Sequence, residues 1–348
     1  MTSENVQEDE LNGPARAGLT PAGSASFLVH ARCSGDVVAF KFGGSSLLGA
    51  ERMLHAAGIV QSSAQSGSVV VIVSAMRGVT DHLLSIGNAL LEGKLPAARE
   101  FAEGVINTHL GVLRDLQLAE EDELRVRREM QLLCSLLLHD VNSTRPNAGN
   151  AELLDRLASY GERLSARLFA AALEKCDVVS VPVTASDFVL TCDTFRDARP
   201  DVMESRERGR EILLPLLEDG IVPVVTGFIG ATPDGRITTL GRNSSDFSGA
   251  IIAHVVDADE LVIWTDVDGI FTANPRENQE AQLLHELSYD DAHALAKSGA
   301  KVLHAKVLPL AAETEMVVWV RNTFNPAARG TRIGPRADVV SSHDGGQS

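Results

Sequence analysis

The chain has 348 residues, 44% hydrophobic and 22% charged, an ordinary balance for a globular protein with a buried core. Lys and Arg number 31 against 47 Asp and Glu, and the net charge of −16 argues against general nucleic-acid binding and against docking on an anionic membrane. The longest apolar run, Val69 to Val73, is too short to span a bilayer, and the acidic start (Glu4, Glu8, Asp9, Glu10) lacks the apolar core of a secretion signal. Four cysteines (Cys33, Cys134, Cys176, Cys192) form no C-x-x-C pair, so a reduced cytoplasmic interior is expected rather than a disulfide framework or a zinc site.

Residues 1 to about 35 are polar and punctuated by Asn12-Gly13-Pro14 and Pro21-Ala22-Gly23-Ser24, which predicts a disordered arm; residues 335–348 read the same way. Between them, residues 36–334 alternate. Short β-branched runs recur at Val37–Phe42, Val69–Ser74, Val178–Val183, Ile221–Phe228, Leu261–Thr265 and Val317–Val320. Most are apolar on successive residues, as strands buried on both faces are. Helical patterns separate them at Ala50–Ser62, Leu83–Leu91, Ala151–Leu173 and Asp246–Val256. This alternation predicts an α/β fold with a mainly parallel sheet. Residues 85 to about 175 hold almost no strand signal and predict a helical insertion, either a subdomain or subunit contact or plain core helices. Arg206–Arg210 is interspersed with Glu204, Glu207 and Glu211 and reads as the solvated face of a helix.

Six segments carry chemistry. Val37–Phe42 runs into Gly43-Gly44-Ser45-Ser46 and then a helical pattern, so a strand ends in glycines that let a ligand approach, before a helix N-terminus that can face an anion. Lys41, after three apolar residues, sits where ligands of α/β sheets gather. The order is neither G-x-x-x-x-G-K-[ST] nor G-x-G-x-x-G. Next, Val71-Ile72-Val73 opens into a polar loop in which Ser74 and Thr80 can bind a substrate, or Thr80 can cap a helix. In Tyr160-Gly161-Glu162, Glu162 alone reads as a surface acid. The fourth segment, Thr226-Gly227-Phe228 through Leu240-Gly241-Arg242-Asn243-Ser244-Ser245-Asp246, is a strand, a turn at Pro233-Asp234-Gly235 and a helix start that Ser245 or Asp246 would cap. The planar fork of Arg242 there suits a carboxylate. The fifth delivers Thr265, Asp266 and Asp268 into a Gly-Pro loop without EF-hand spacing, which favours a nucleotide over calcium. The last, Ser298-Gly299-Ala300-Lys301-Val302, places a second lysine beside a glycine.

Taken in this order, the motifs resemble the catalytic domain of the aspartokinases, members of the amino-acid kinase family, from about Val37 to about Arg332. Lys41-Phe42-Gly43-Gly44-Ser45-Ser46, Gly161-Glu162, Leu240–Asp246, Thr265–Gly269 with Pro275-Arg276, Gly299–His304 and Arg321–Pro326 carry the likeness. The resemblance implies an α/β/α sandwich, and transfer of the ATP γ-phosphoryl group to the side-chain carboxylate of L-aspartate or a close analogue, with Mg²⁺ bridging the phosphates. It implies catalytic roles for Lys41, Asp246 and Lys301. It implies an amino-acid pocket of Ser74, Thr80, Glu162, Phe228, Arg242 and Ser245, with Arg242 on the α-carboxylate and Glu162 on the α-ammonium. It implies an ATP site of Lys41, Gly43, Gly44, Ser45, Thr265, Asp266, Phe271, Arg276, Lys301 and Val302, no metal held by the protein itself, and a homodimer.

The sequence departs from that pattern in places. Asn243 and Ser244 stand where two glycines are frequent, Phe247 and Phe271 where tyrosine is common, and Asn274 where aspartate is usual. No charged catalytic group is lost. About 14 polar residues follow Gly334, and on this likeness the expectation is activity without feedback control by ACT domains. Two other readings are a kinase for a modified aspartate and a non-catalytic partner of a full-length aspartokinase; retention of Lys41, Arg242, Asp246 and Lys301 weighs against the second.

Overall fold

A run such as Val-Val-Ala-Phe-Lys-Phe offers a helix no polar face, and its branched and aromatic side chains pack well on a pleated surface. It forms the first strand of a computed structural model that describes residues 37–144, 151–273, 278, 280–297 and 303–335. In chain order the elements are β1 (Val37–Phe42), α1 (Ala50–Ala64), β2 (Ser68–Val73), α2 (Val79–Leu91), α3 (Leu95–Asp115), α4 (Glu120–Ser143), α5 (Ala151–Lys175), β3 (Ser180–Val183), α6 (Val202–Glu218), β4 (Val222–Thr226), β5 (Ile229–Ala231), β6 (Ile237–Thr239), α7 (Ser245–Val255), β7 (Glu260–Thr265), β8 (Ile270–Phe271), β9 (Leu283–Leu284), β10 (Glu286–Ser288), α8 (Tyr289–Lys297), α9 (Val307–Glu313), β11 (Val317–Asn322) and β12 (Thr331–Gly334). The expected arm at 1–35 and tail at 335–348 lie outside the described residues, apart from Pro335.

Eight strands form one sheet in the order β10-β12-β11-β7-β1-β2-β4-β3, parallel at every pairing except β11 with β12. Side chains alternate across it. Phe40, Phe42, Val71, Val73 and Trp264 join a core with α1 to α5, whereas Ala39, Ile72, Leu261 and Ile263 join a second core with α6, α7, α8 and α9. The result is a three-layer α/β/α sandwich. Phe42 is fully buried against a stacked Trp264 ring, a burial that stabilises by about 1.5–3 kcal/mol. Residues 79–175 supply four helices and no strand among the described residues.

The sheet also fixes where chemistry can occur. Phe42 pairs with Val73 and Trp264, Val73 with Thr226, and Thr265 with Asn322, so the carboxyl ends of β1, β2, β4, β7 and β11 finish side by side. The chain passes from β1 to β2 on one side and reaches β7 on the other, so strand order reverses at β1, where open α/β sheets form their crevice.

Two expectations are corrected. Thr80 is no cap: α2 begins four residues before the predicted Leu83, with left-handed Gly78 (φ 87°) at its N-cap. The arginines of α6 are not simply solvated: Arg206 and Arg210 both bind Asp257, and Arg206 Nε donates to His254 O at 3.2 Å, which braces the end of α7. Only Arg208, paired with Glu204, keeps to the helix surface.

Candidate active site

Alternation along β1 places Lys41 on the face of Ala39, beneath α7. A Cβ at Gly249 would come 3.3 Å from Lys41 Cβ, so the missing side chain lets α7 rest on the lysine stem. The ammonium is buried and must be paired. Its partner is Asp246 in the first turn of α7, with Nζ 2.6 Å from Oδ1 and side chains 9% and 20% exposed. The acid also suits the positive end of its helix. Ser244, rather than Ser245 or Asp246, takes the N-cap position, and its buried hydroxyl has no partner among the described residues.

The paired glycines divide their work. A Cβ at Gly44 would lie 2.5 Å from Ala75 O and 3.0 Å from Arg77 N, so Gly44 serves packing of the β1 loop on the β2 loop rather than ligand approach. Arg77 N donates to Gly44 O at 3.1 Å across that contact. Gly43 is roomier: its nearest neighbours would be Lys41 Nζ and Trp264 O, both at 3.7 Å. Ser45 is half-buried and its carbonyl accepts from Arg52 at 2.8 Å.

Glu162 is not a surface acid. It lies mid-way along α5 and is 3% exposed. Gly161 makes this possible, because a Cβ there would strike Ala75 Cβ at 2.7 Å. Oε1 accepts from Ala75 N at 3.1 Å, and Oε2 is buried with no partner among the described residues. Burial pushes the carboxyl up to about 8, against the pull of the Ala75 amide and the nearby Lys41 charge. A buried acceptor left over in this way costs free energy unless a cation or donor arrives.

The other residues of the expected amino-acid pocket stand at the ends of β2 and β4 and at the starts of α2 and α7. Ser74 is buried and donates its amide to Phe42 O at 3.2 Å. Phe228, half-buried in a left-handed turn (φ 67°), is held by Ser248 Oγ, which accepts its amide at 2.7 Å. A Cβ at the adjoining Gly227 would lie 3.4 Å from Ser245 Cβ. Arg242 is exposed and reaches Asp81, one residue beyond the half-buried Thr80, with Nη2 3.3 Å from Oδ1. Sequence reasoning did not single out Asp81.

On the β7 side, Gly43 N donates to Trp264 O at 3.2 Å, which sets Thr265 and the exposed Asp266 beside the glycine loop. Asp268 turns inward and accepts from Asn322 at 2.8 Å and Asn325 at 3.2 Å, so it clamps this loop to the end of β11. Phe271 lies half-buried in the small β8–β9 ribbon. Arg276, Lys301 and Val302 lie outside the described residues. Beyond them His304 stacks on Phe247, and Lys306 lies over the same ring while pairing with Asp197 at 2.9 Å.

A sequence profile described as the amino acid kinase family matches residues 36–322. The chain belongs to the amino acid kinase family. This amino acid kinase is 34% identical over 299 residues to the lysine-sensitive aspartokinase 3 of Escherichia coli (strain K12), covering 86% of this chain and 64% of that protein. It is 32% identical to the chloroplastic aspartokinase 1 of Arabidopsis thaliana, over 88% of this chain and 54% of the relative. Its fold matches the crystal structure of E. coli aspartokinase III in complex with aspartate and ADP with a TM-score of 0.80 and 32% identity, covering 87% of this chain and 66% of that one. The chain thus spans between about half and two thirds of the length of these relatives. No helix among the described residues of this kinase is long and apolar enough to cross a membrane.

Proposed function

We propose that this amino acid kinase transfers the γ-phosphoryl group of ATP to the side-chain carboxylate of L-aspartate, giving 4-phospho-L-aspartate and ADP. The observation that carries the reading is the Lys41–Asp246 pair, a desolvated cation fixed at the switch point of the sheet. The E. coli relative crystallised with aspartate and ADP supports the choice of substrates.

A carboxylate oxygen of the substrate attacks the γ-phosphorus, the bond to the β-γ bridging oxygen breaks, and ADP leaves with that electron pair. The attacking carboxylate has a pKa of about 3.9 and is already ionised, so the step needs no general base. Positioning and neutralisation of charge remain for the protein. Asp246 holds Lys41 toward the transferring oxygens, and Lys301 takes the nucleotide phosphates. Arg242 pairs with the substrate α-carboxylate and Glu162 with the α-ammonium, for which its unpartnered Oε2 is the fitting acceptor. Ser74, Thr80, Phe228 and Ser245 line this pocket. Gly43, Ser45, Thr265, Asp266, Phe271, Arg276 and Val302 surround ATP, while Gly44 packs their loop on the β2 loop. In this reading the magnesium ion is held through the nucleotide phosphates rather than by side chains of the chain. Bound there, Mg²⁺ would neutralise phosphate charge.

The working form in this reading is a homodimer through helices that flank the sheet. Leu124, Leu132 and Leu136, exposed along one stripe of α4, support it, and light scattering of the eluted protein tests it. The described cysteines Cys134, Cys176 and Cys192 are unpaired, as suits the reducing cytoplasm. The activity is tested by trapping the acyl phosphate as a hydroxamate with ATP and a panel of acidic amino acids. L-aspartate should give the highest kcat/KM. A preference for another acid, or no ATP-dependent product from any, would overturn the proposal.

A further inference from the structure

We infer that Asp155 is a positioning residue that fixes the spacing between the two ends of the amino-acid pocket, Glu162 and the Arg242 loop. The inference rests on the reading that this pocket takes aspartate. Asp155 stands seven residues before Glu162 on α5, two turns along and on the same face. It is wholly buried (0% exposed), and the proposed chemistry makes no use of it. Its oxygens gather three donors from two other segments. Oδ2 accepts from Thr239 N at 2.9 Å and from Arg196 N at 2.8 Å, and Oδ1 accepts from Thr239 Oγ1 at 2.7 Å. The Arg196 guanidinium lies 3.9 Å from Oδ1.

Both anchored segments lead to the substrate arginine. Thr239 ends β6, three residues before Arg242. Leu240 N donates to Phe228 O at 2.9 Å, so the same strand end also places Phe228. The Arg196 segment packs on this loop from outside: Ala198 N donates to Thr239 O at 2.9 Å, and a Cβ at Gly241 (φ 98°) would lie 2.8 Å from Asp197 Oδ1. Arg196 itself is left-handed (φ 74°), which a non-glycine residue keeps only when its surroundings hold it there. Asp155 supplies that hold through the Arg196 amide. Glu162 and Arg242 are therefore referred to one rigid helix through one carboxylate. A substrate whose ammonium meets Glu162 and whose α-carboxylate meets Arg242 is sensitive to that spacing, whereas a nucleotide on the β7 side is not.

The test separates positioning from general stability. Asp155→Ala leaves two buried amides without acceptors and should raise the aspartate KM about tenfold or more, with the ATP KM within about twofold of parental. Asp155→Asn should restore most of the aspartate KM, because its oxygen can take both amides while its NH₂ donates to a turned Thr239 hydroxyl. If Asp155→Ala does not fold, Thr239→Val removes only the hydroxyl bond and should raise the aspartate KM about threefold, again selectively. A folded Asp155→Ala, or failing that Thr239→Val, with an unchanged aspartate KM would overturn the inference, as would equal rises in both KM values. A parental protein that forms no acyl phosphate from aspartate would instead overturn the reading of the pocket on which the inference stands.

Discussion

Glu162 carries a proton in the unliganded pocket at neutral pH, because burial raises its carboxyl to about 8, yet the proposed contact with the substrate ammonium requires the carboxylate. Binding then competes with protonation. The kcat/KM for aspartate should rise with pH at a slope of one below about pH 8 and flatten above it, and Glu162→Gln should abolish that limb along with most of the affinity. A flat profile in the parental enzyme would remove Glu162 from the ammonium site. The proposed contact of Arg242 with the substrate α-carboxylate has its own competitor, since Asp81 pairs with the same guanidinium. Both partners are exposed, so the pair is weak, and Asp81→Asn should lower the aspartate KM by at most about fivefold. Arg242→Lys should raise it by about tenfold or more through loss of the two-pronged contact. Initial-rate measurements at varied aspartate decide both, and a shift in the ATP KM alone would assign Arg242 to the nucleotide.

Among the elements, β1 was legible because an apolar run buried on both faces tolerates one lysine only for a reason, and that lysine is at the site. The starts of α1, α5 and, within one residue, α7 were legible, as were most core strands, from periodic or continuous apolar residues; the start of α2 was not, because it lies four residues before the predicted Leu83. The strands β8, β9, β10 and β12 were not, being two to four residues long and held by distant partners such as Thr331 Oγ1, which accepts from Ile270 N at 2.8 Å. Burial of Glu162 was illegible too, because a helical pattern does not reveal that Gly161 brings the β2 loop against it. Asp155 left a trace in the sequence, an acid at i−7 on the buried face of α5, but not its partners in β6 and the Arg196 turn. Gly44 was read as a ligand-facing glycine, and the β2 loop beneath it explains the difference. Gly44→Ala meets rigid backbone and should cost about 1–3 kcal/mol of stability, whereas Gly43→Ala should cost clearly less. Urea unfolding of the two variants checks this; equal losses would refute the division of roles.

Across the molecule, the helices of residues 79–175 complete one core and bury a histidine in it. His109 is fully buried, its Nδ1 held against Val105 O at 2.6 Å and its Nε2 without a partner among the described residues. Burial lowers its pKa from 6.5 to about 4. The unfolded chain therefore binds the proton first, so stability from this group is complete above about pH 6.5 and is lost as pH falls toward 4. The whole loss is about 3 kcal/mol. His109→Leu should flatten the fall in urea midpoint between about pH 7 and pH 5 relative to the parental chain, and an identical fall would place the acid sensitivity elsewhere. The sheet lies between this helical layer and the opposite one. The sheet carries the lysine between them and Asp246 holds it at the strand ends. The most direct measurement of the account is kcat for hydroxamate-trapped acyl phosphate at saturating ATP and aspartate, in the parental enzyme and in Lys41→Ala, with circular dichroism to confirm the fold. Losing charge stabilisation at the transferring phosphoryl group should lower kcat about 10²-fold or more while the spectrum is unchanged. A folded Lys41→Ala with near-parental kcat would contradict it.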